Sequence, residues 1–219
     1  MQPEALAATR RALHGAAELL LAGPQFRSEG TIRLRVVPGG FSTVTGRDLR
    51  IEGDRLVSDD ESVILSGRSL SAVATDVGVE VTLLDDVYPD GSGVSPHEVV
   101  EVEGDAARRV CAAFQAGQDA LRVFAPGCTP VLWPEHFDLS IDVDEVNYGV
   151  SPGDDSVLEP YAYVGPWTPR EGAFWNAPFG ASLVLGDRPV VGELVDFFRT
   201  GERLAREPLI RGFSAPKPL

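Results

Sequence analysis

The sequence predicts an α+β protein: a small N-terminal antiparallel sheet, a C-terminal antiparallel meander and about four helices. Three observations carry that prediction. Apolar residues recur at helical spacing over 3–22, 69–78, 105–124 and 189–206. Short alternating runs, parted by turn-forming pairs, fill most of the chain between them. The composition is that of a globular protein, with 43% hydrophobic and 24% charged residues in 219.

Pro3 suits a first helical turn, and Leu6, Leu13, Ala17, Leu20 and Leu21 share a face until Gly23-Pro24, where a stop is expected. Ile32, Leu34 and Val36 then alternate, and Pro38-Gly39-Gly40 turns the chain into 41–44. Strands follow at 49–52, 55–57 and 62–65, parted by Gly53-Asp54 and Asp59-Asp60. Ser69 caps a short helix ending at Gly78, and 79–84 is expected as another strand. Residues 85–104 hold six acidic side chains and no Lys or Arg. They read as an acidic loop or linker between 1–84 and 105–219, with one compact domain as the alternative. Asp105 caps a helix carrying Val110, Phe114, Leu121 and Phe124. Strands at 131–142, 146–150 and 159–164 form the meander, a Gly-, Pro- and aromatic-rich loop spans 165–180, and a strand at 181–185 precedes the closing helix.

Charge removes several functions. With 19 basic and 33 acidic residues the net charge is −14, which opposes binding to nucleic acid or to an anionic membrane surface. Arg33, Arg35, Arg47, Arg50 and Arg55 are a local exception, and alternation puts Arg33 and Arg35 on a solvated strand face. Lys217 is the sole lysine, beside eighteen arginines, which argues against Schiff-base chemistry and suggests a GC-rich bacterial source. Two cysteines make no disulfide framework: Cys111 reads as core and Cys128 as loop. With no leader and no membrane-length apolar run, a cytoplasmic location is expected.

Chemistry concentrates in 131–180, which holds His136, Trp133, Trp167, Trp175, Tyr148, Tyr161 and Tyr163. Read as one strand, 132–141 places His136, Asp138 and Ser140 on a polar face, with Glu135, Phe137, Leu139 and Ile141 on the other. A neighbouring strand from Glu159 adds Tyr161 and Tyr163. His136, Asp138 and Glu159 would then be the acid–base groups, or the ligands of a divalent metal. One histidine without fixed ligand spacing favours a metal-free pocket. Trp133, Asn147, Tyr161, Tyr163, Trp167, Trp175 and Asn176 would line it. The blander reading is a half-exposed sheet face pointing at water.

Trp133-Pro134-Glu135-His136-Phe137-Asp138, Ser151-Pro152-Gly153-Asp154 and 159–167 (EPYAYVGPW) occur in that order. Together they resemble the pattern WPHHFD, SPGD, EPYxYVxPW of a widespread group of uncharacterised bacterial proteins. The resemblance implies a shared fold over about 130–180 and the helix before it, and no activity. Glu135 stands where that group has a second histidine, which argues against a His–His metal pair.

Other constellations are bland. No phosphate-binding loop or nucleophile elbow is present. His14 and Glu18 read as a surface pair, and His97 as solvated. The leading expectation is a small-molecule-binding protein, open to enzymatic use of His136 with Asp138 and Glu159. The eight carboxylates within 135–159 favour a neutral or cationic ligand. The alternative is a non-catalytic module docking through the aromatic loop 165–180.

Overall fold

The computed structural model describes residues 3–59 and 61–208; Met1, Gln2, Asp60 of the expected 59–60 turn, and the tail with Lys217 lie outside them. The first helix does not stop at Gly23-Pro24. Helix α1 (Pro3–Ala16) passes into a π-helical turn (Ala17–Ala22) and on into α2 (Gly23–Glu29), ending on Gly30 at φ 73°. The Gly23 N–H bonds the Glu18 carbonyl, five residues back. This wider turn accommodates Pro24, which has no N–H to give and a ring that would collide with a regular α-turn. Gly23 is required there because a Cβ would lie 2.1 Å from the Thr82 carbonyl oxygen.

Strands β1 (Leu34–Val37), β2 (Gly40–Thr43), β3 (Leu49–Glu52), β4 (Arg55–Ser58) and β5 (Glu61–Ile64) form an antiparallel meander. Ser69 accepts the Ala72 N–H at 3.3 Å and so caps α3 (Leu70–Asp76). The two-residue strands β6 (Arg68–Ser69) and β7 (Val99–Val100) pair separately. Residues 79–84 form no strand; they run against the π turn, with Thr82 beside Gly23. The acidic loop that follows buries Tyr88, Val94, Val100 and Val102 while most of its carboxylates face solvent. Glu103 rather than Asp105 caps α4 (Gly104–Phe124), accepting the N–H groups of Asp105 and Ala106 at 3.0 and 2.8 Å.

Five more strands complete the fold: β8 (Val131–Trp133), β9 (Asp138–Val143), β10 (Val146–Ser151), β11 (Tyr161–Pro166) and β12 (Ala181–Val184). The helix α5 (Val191–Ala205) closes the chain. The two meanders join through antiparallel pairing of β1 with β8 at Leu34↔Leu132. One ten-stranded sheet results, ordered β12-β11-β10-β9-β8-β1-β2-β3-β4-β5. Helices and antiparallel sheet thus give an α+β fold. Alternate residues such as Leu34, Phe41, Ile51, Leu139, Tyr148 and Val164 are buried on the helix-covered face, under α4, α5 and the π-helical turn, with α1 packed on α4. The other face keeps Arg33, Arg35, Asp142 and Asn147 exposed. Both cysteines are free thiols. Among the described residues no helix is long and apolar enough to cross a membrane.

Candidate functional site

Residues 131–142 are not one strand but a hairpin, β8 pairing with β9 through Leu132↔Leu139 and Trp133↔Asp138. Pro134 cannot donate to a ladder, and the chain turns over 134–137. Phe137 takes φ 50°, a conformation costly for an L-residue. Its ring offsets that cost by burial against Phe41, Phe114 and His14, at centroid separations of 5.5, 5.3 and 5.2 Å. The turn lifts His136 off the strand face. Its side chain is 67% exposed at the hairpin tip, with Nε2 4.0 Å from Glu135.

Asp138 opens β9 on the exposed side of the sheet, and there it meets Tyr163. The register runs Ser140↔Gly149↔Tyr163. A Cβ on Gly149 would lie 2.5 Å from the Tyr163 ring and hydroxyl, so the missing side chain lets the phenol cross β10. The Tyr163 hydroxyl donates to Asp138 Oδ2. Burial pushes the Asp138 carboxyl above the usual carboxylate range, although the Tyr163 hydrogen bond favours its charged form. Burial, with the neighbouring Asp138 charge, raises the Tyr163 phenol well above its ordinary value. The pair forms the floor of a groove of about 670 Å³, walled by Arg33, Trp133, Glu135, His136, Asp142 and Asn147. The Arg33 guanidinium lies 5.6 Å from the Trp133 ring centroid.

Several expected members are elsewhere. Glu159 precedes β11 and is drawn to Arg109 of α4 at 3.0 Å, away from His136 and Asp138. Tyr161 is buried and donates to Asp154 at 2.5 Å. Trp175 stacks edge-on against Phe174 at 5.0 Å, and Phe174 lies 5.3 Å from Phe197 of α5. Asn176 braces Ser182 of β12 through the latter's N–H and carbonyl, at 2.8 and 3.1 Å. Trp167 is 63% exposed. The expected metal set is therefore dispersed, and among the described residues no three His, Cys, Asp or Glu side chains come together to hold a metal ion.

The sequence reading missed Arg33 and Glu135 as groove residues and misplaced His14 and Glu18. The latter pair is buried. His14 stacks on Phe137 with rings 7° from parallel, its Nε2 donating to the Pro134 carbonyl at 2.6 Å. Glu18 is 5% exposed and accepts the Tyr88 hydroxyl at 3.0 Å and the Ser92 N–H at 2.9 Å. One signal was available: Ala16 to Ala22 is apolar at every position but Glu18, and a helix apolar all round is buried all round.

Comparison of the chain with known protein families, curated proteins and solved structures finds no match.

Proposed function

We propose that the groove over β8, β9, β10 and β11 binds a small polar molecule, neutral or cationic. Trp133 is its wall, and Asp138 with Tyr163 its floor. The observation that carries this reading is the Asp138–Tyr163 pair. A carboxyl whose charged form is disfavoured by burial weakens the fold as pH rises through its folded value, so it is maintained at a stability cost. Such groups concentrate at binding and catalytic sites. His136 at the rim and Asp138 on the floor are both able to hold or pass a proton, which makes acid–base catalysis on a bound ligand the natural extension; Glu159 has no part in it.

A thermal-shift screen of small polar molecules at pH 7 tests the reading. A ligand at a hundredfold excess over Kd stabilises by about 2.7 kcal/mol, roughly 5–10 °C for a chain of this size. Asp138→Asn should reduce the shift without lowering the protein's own Tm, because the charge it removes is unfavourable in the fold. Trp133→Ala should weaken it. Ligands that shift both variants like the wild type would place binding outside the groove.

A second reading, docking through 165–180, is favoured by exposed Trp167 alone, since Trp175 and Asn176 are committed within the fold. Trp167→Ser should leave the ligand response of the groove intact; loss of that response would move the function to this loop.

A further inference from the structure

We infer that the groove selects a zwitterion of the α-amino-acid kind, a small molecule carrying an anionic group and an ammonium. The inference rests on the groove being a ligand site and names the class of ligand. The open face of the sheet is bipolar, and the groove lies where its two halves meet. On β1 and just before it, Arg35 and Arg33 are exposed, and in the described residues neither is paired with a carboxylate; Arg35 bonds Ser42 and Arg33 lies over Trp133. Arg50, farther out, is already matched by Asp48 and Glu52. On the other side stand Glu135, Asp138 and Asp142, none with an arginine partner in the described residues.

The register sets the spacing. Trp133 pairs with Asp138 on one side, and the Leu34↔Leu132 pair puts Arg33 beside it on the other. Guanidinium and carboxylate therefore spring from strands two apart, about 10 Å at the backbone, with the indole between them. They form no ion pair with each other among the described residues, the guanidinium lying instead over the indole, and they are placed to take opposite ends of one ligand. A guanidinium binds a carboxylate through two parallel N–H bonds, and Asp138 or Glu135 accepts from an ammonium. The ligand body would lie on Trp133. A simple amine gains from the carboxylates but meets Arg33; a simple acid has the reverse problem. Only the molecule with both charges satisfies both sides, so discrimination comes from repulsion as much as attraction.

The test is a titration of the full chain with α-amino acids of apolar, aromatic and polar side chains, alongside their decarboxylated amines and deaminated acids. Calorimetry and backbone amide shifts report binding. At least one amino acid should bind about tenfold tighter than its own amine and its own acid, with shifts centred on β8 and β9. Arg33→Gln, at an exposed position, should bring the amino acid down to its amine and leave the amine unchanged or tighter. Asp138→Asn should bring it down to its acid. Amines that bind as tightly as their amino acids, indifferent to Arg33→Gln, would overturn the zwitterion while leaving a cation-binding groove in place. Failure of all three series to move any groove amide would overturn this inference; the groove itself would fall only if the thermal-shift screen also yielded no ligand whose effect Trp133→Ala weakens.

Discussion

At the scale of single residues, the most constrained group outside the groove is Glu18. A carboxylate inside a core is tolerated only when each oxygen is met, and here the Tyr88 hydroxyl meets one and the Ser92 N–H the other. Gly91 closes over it so tightly that a Cβ would lie 2.3 Å from Oε1. Glu18→Ala would strand two buried donors and should cost about 3–5 kcal/mol, while Tyr88→Phe, removing one bond, should cost about 1 kcal/mol; urea unfolding measures both. His14 gives the cluster a pH dependence. Burial lowers its pKa, against the raising pull of Glu18. The folded chain thus holds a neutral imidazole at pH values where the unfolded chain is already protonated. Stability is full above about pH 6.5, falls as pH drops, and levels off once the folded imidazole titrates too. Tm followed from pH 7.5 to 5 should show that decline, and His14→Gln should flatten it from a lower starting point. An unchanged slope would assign the decline to another group.

Elements were legible in the sequence wherever one periodicity ruled. The four-residue strands at 49–52 and the helix caps near 69 and 104 follow from alternation and capping chemistry, and stand within a residue or two of expectation. What failed was local chemistry that tertiary contact overrides. Gly23-Pro24 carries every mark of a helix stop, yet a π turn absorbs the proline. Alternation across 131–142 was real, but it concealed a turn at Pro134 that the burial of Phe137 and the His14 bond to the Pro134 carbonyl fix. The groove was half legible for the same reason: Asp138, Tyr163, Trp133 and Asn147 lie on strand faces that period two identifies, whereas Glu159 depends on where a loop ends and on what Arg109 attracts. The π turn carries its own prediction. A methyl group at residue 23 has backbone, not a flexible side chain, in its way, so Gly23→Ala must part the helix from 79–84. A loss of about 1–3 kcal/mol by urea unfolding is expected, at the high end because backbone yields least. A neutral result would mean that segment is free to move off the helix.

The whole molecule turns on the pairing of β1 with β8. The acidic stretch at 85–104 suggests a place where the chain divides, but contacts across it are those of one core. Phe137, from the second half, packs edge-on against Phe41 from the first, and both meet Phe114 on α4. Helix α1 lies on α4, Glu18 holds Tyr88 and Ser92 of the intervening loop, and the buried apolar residues form one continuous cluster from Leu6 to Ala205. Removing either half would expose the sheet edge at Leu34 or Leu132, together with the apolar face of the helix packed behind it. The two halves should accordingly melt together. Calorimetry should give one transition whose van't Hoff and calorimetric enthalpies agree, and neither 1–95 nor 96–219 produced alone should unfold cooperatively. The groove makes the same demand, since Arg33 comes from one half and Asp138 from the other. Two resolved transitions, the second retaining ligand binding, would show that the C-terminal meander carries the site unaided and that β1 only borders it.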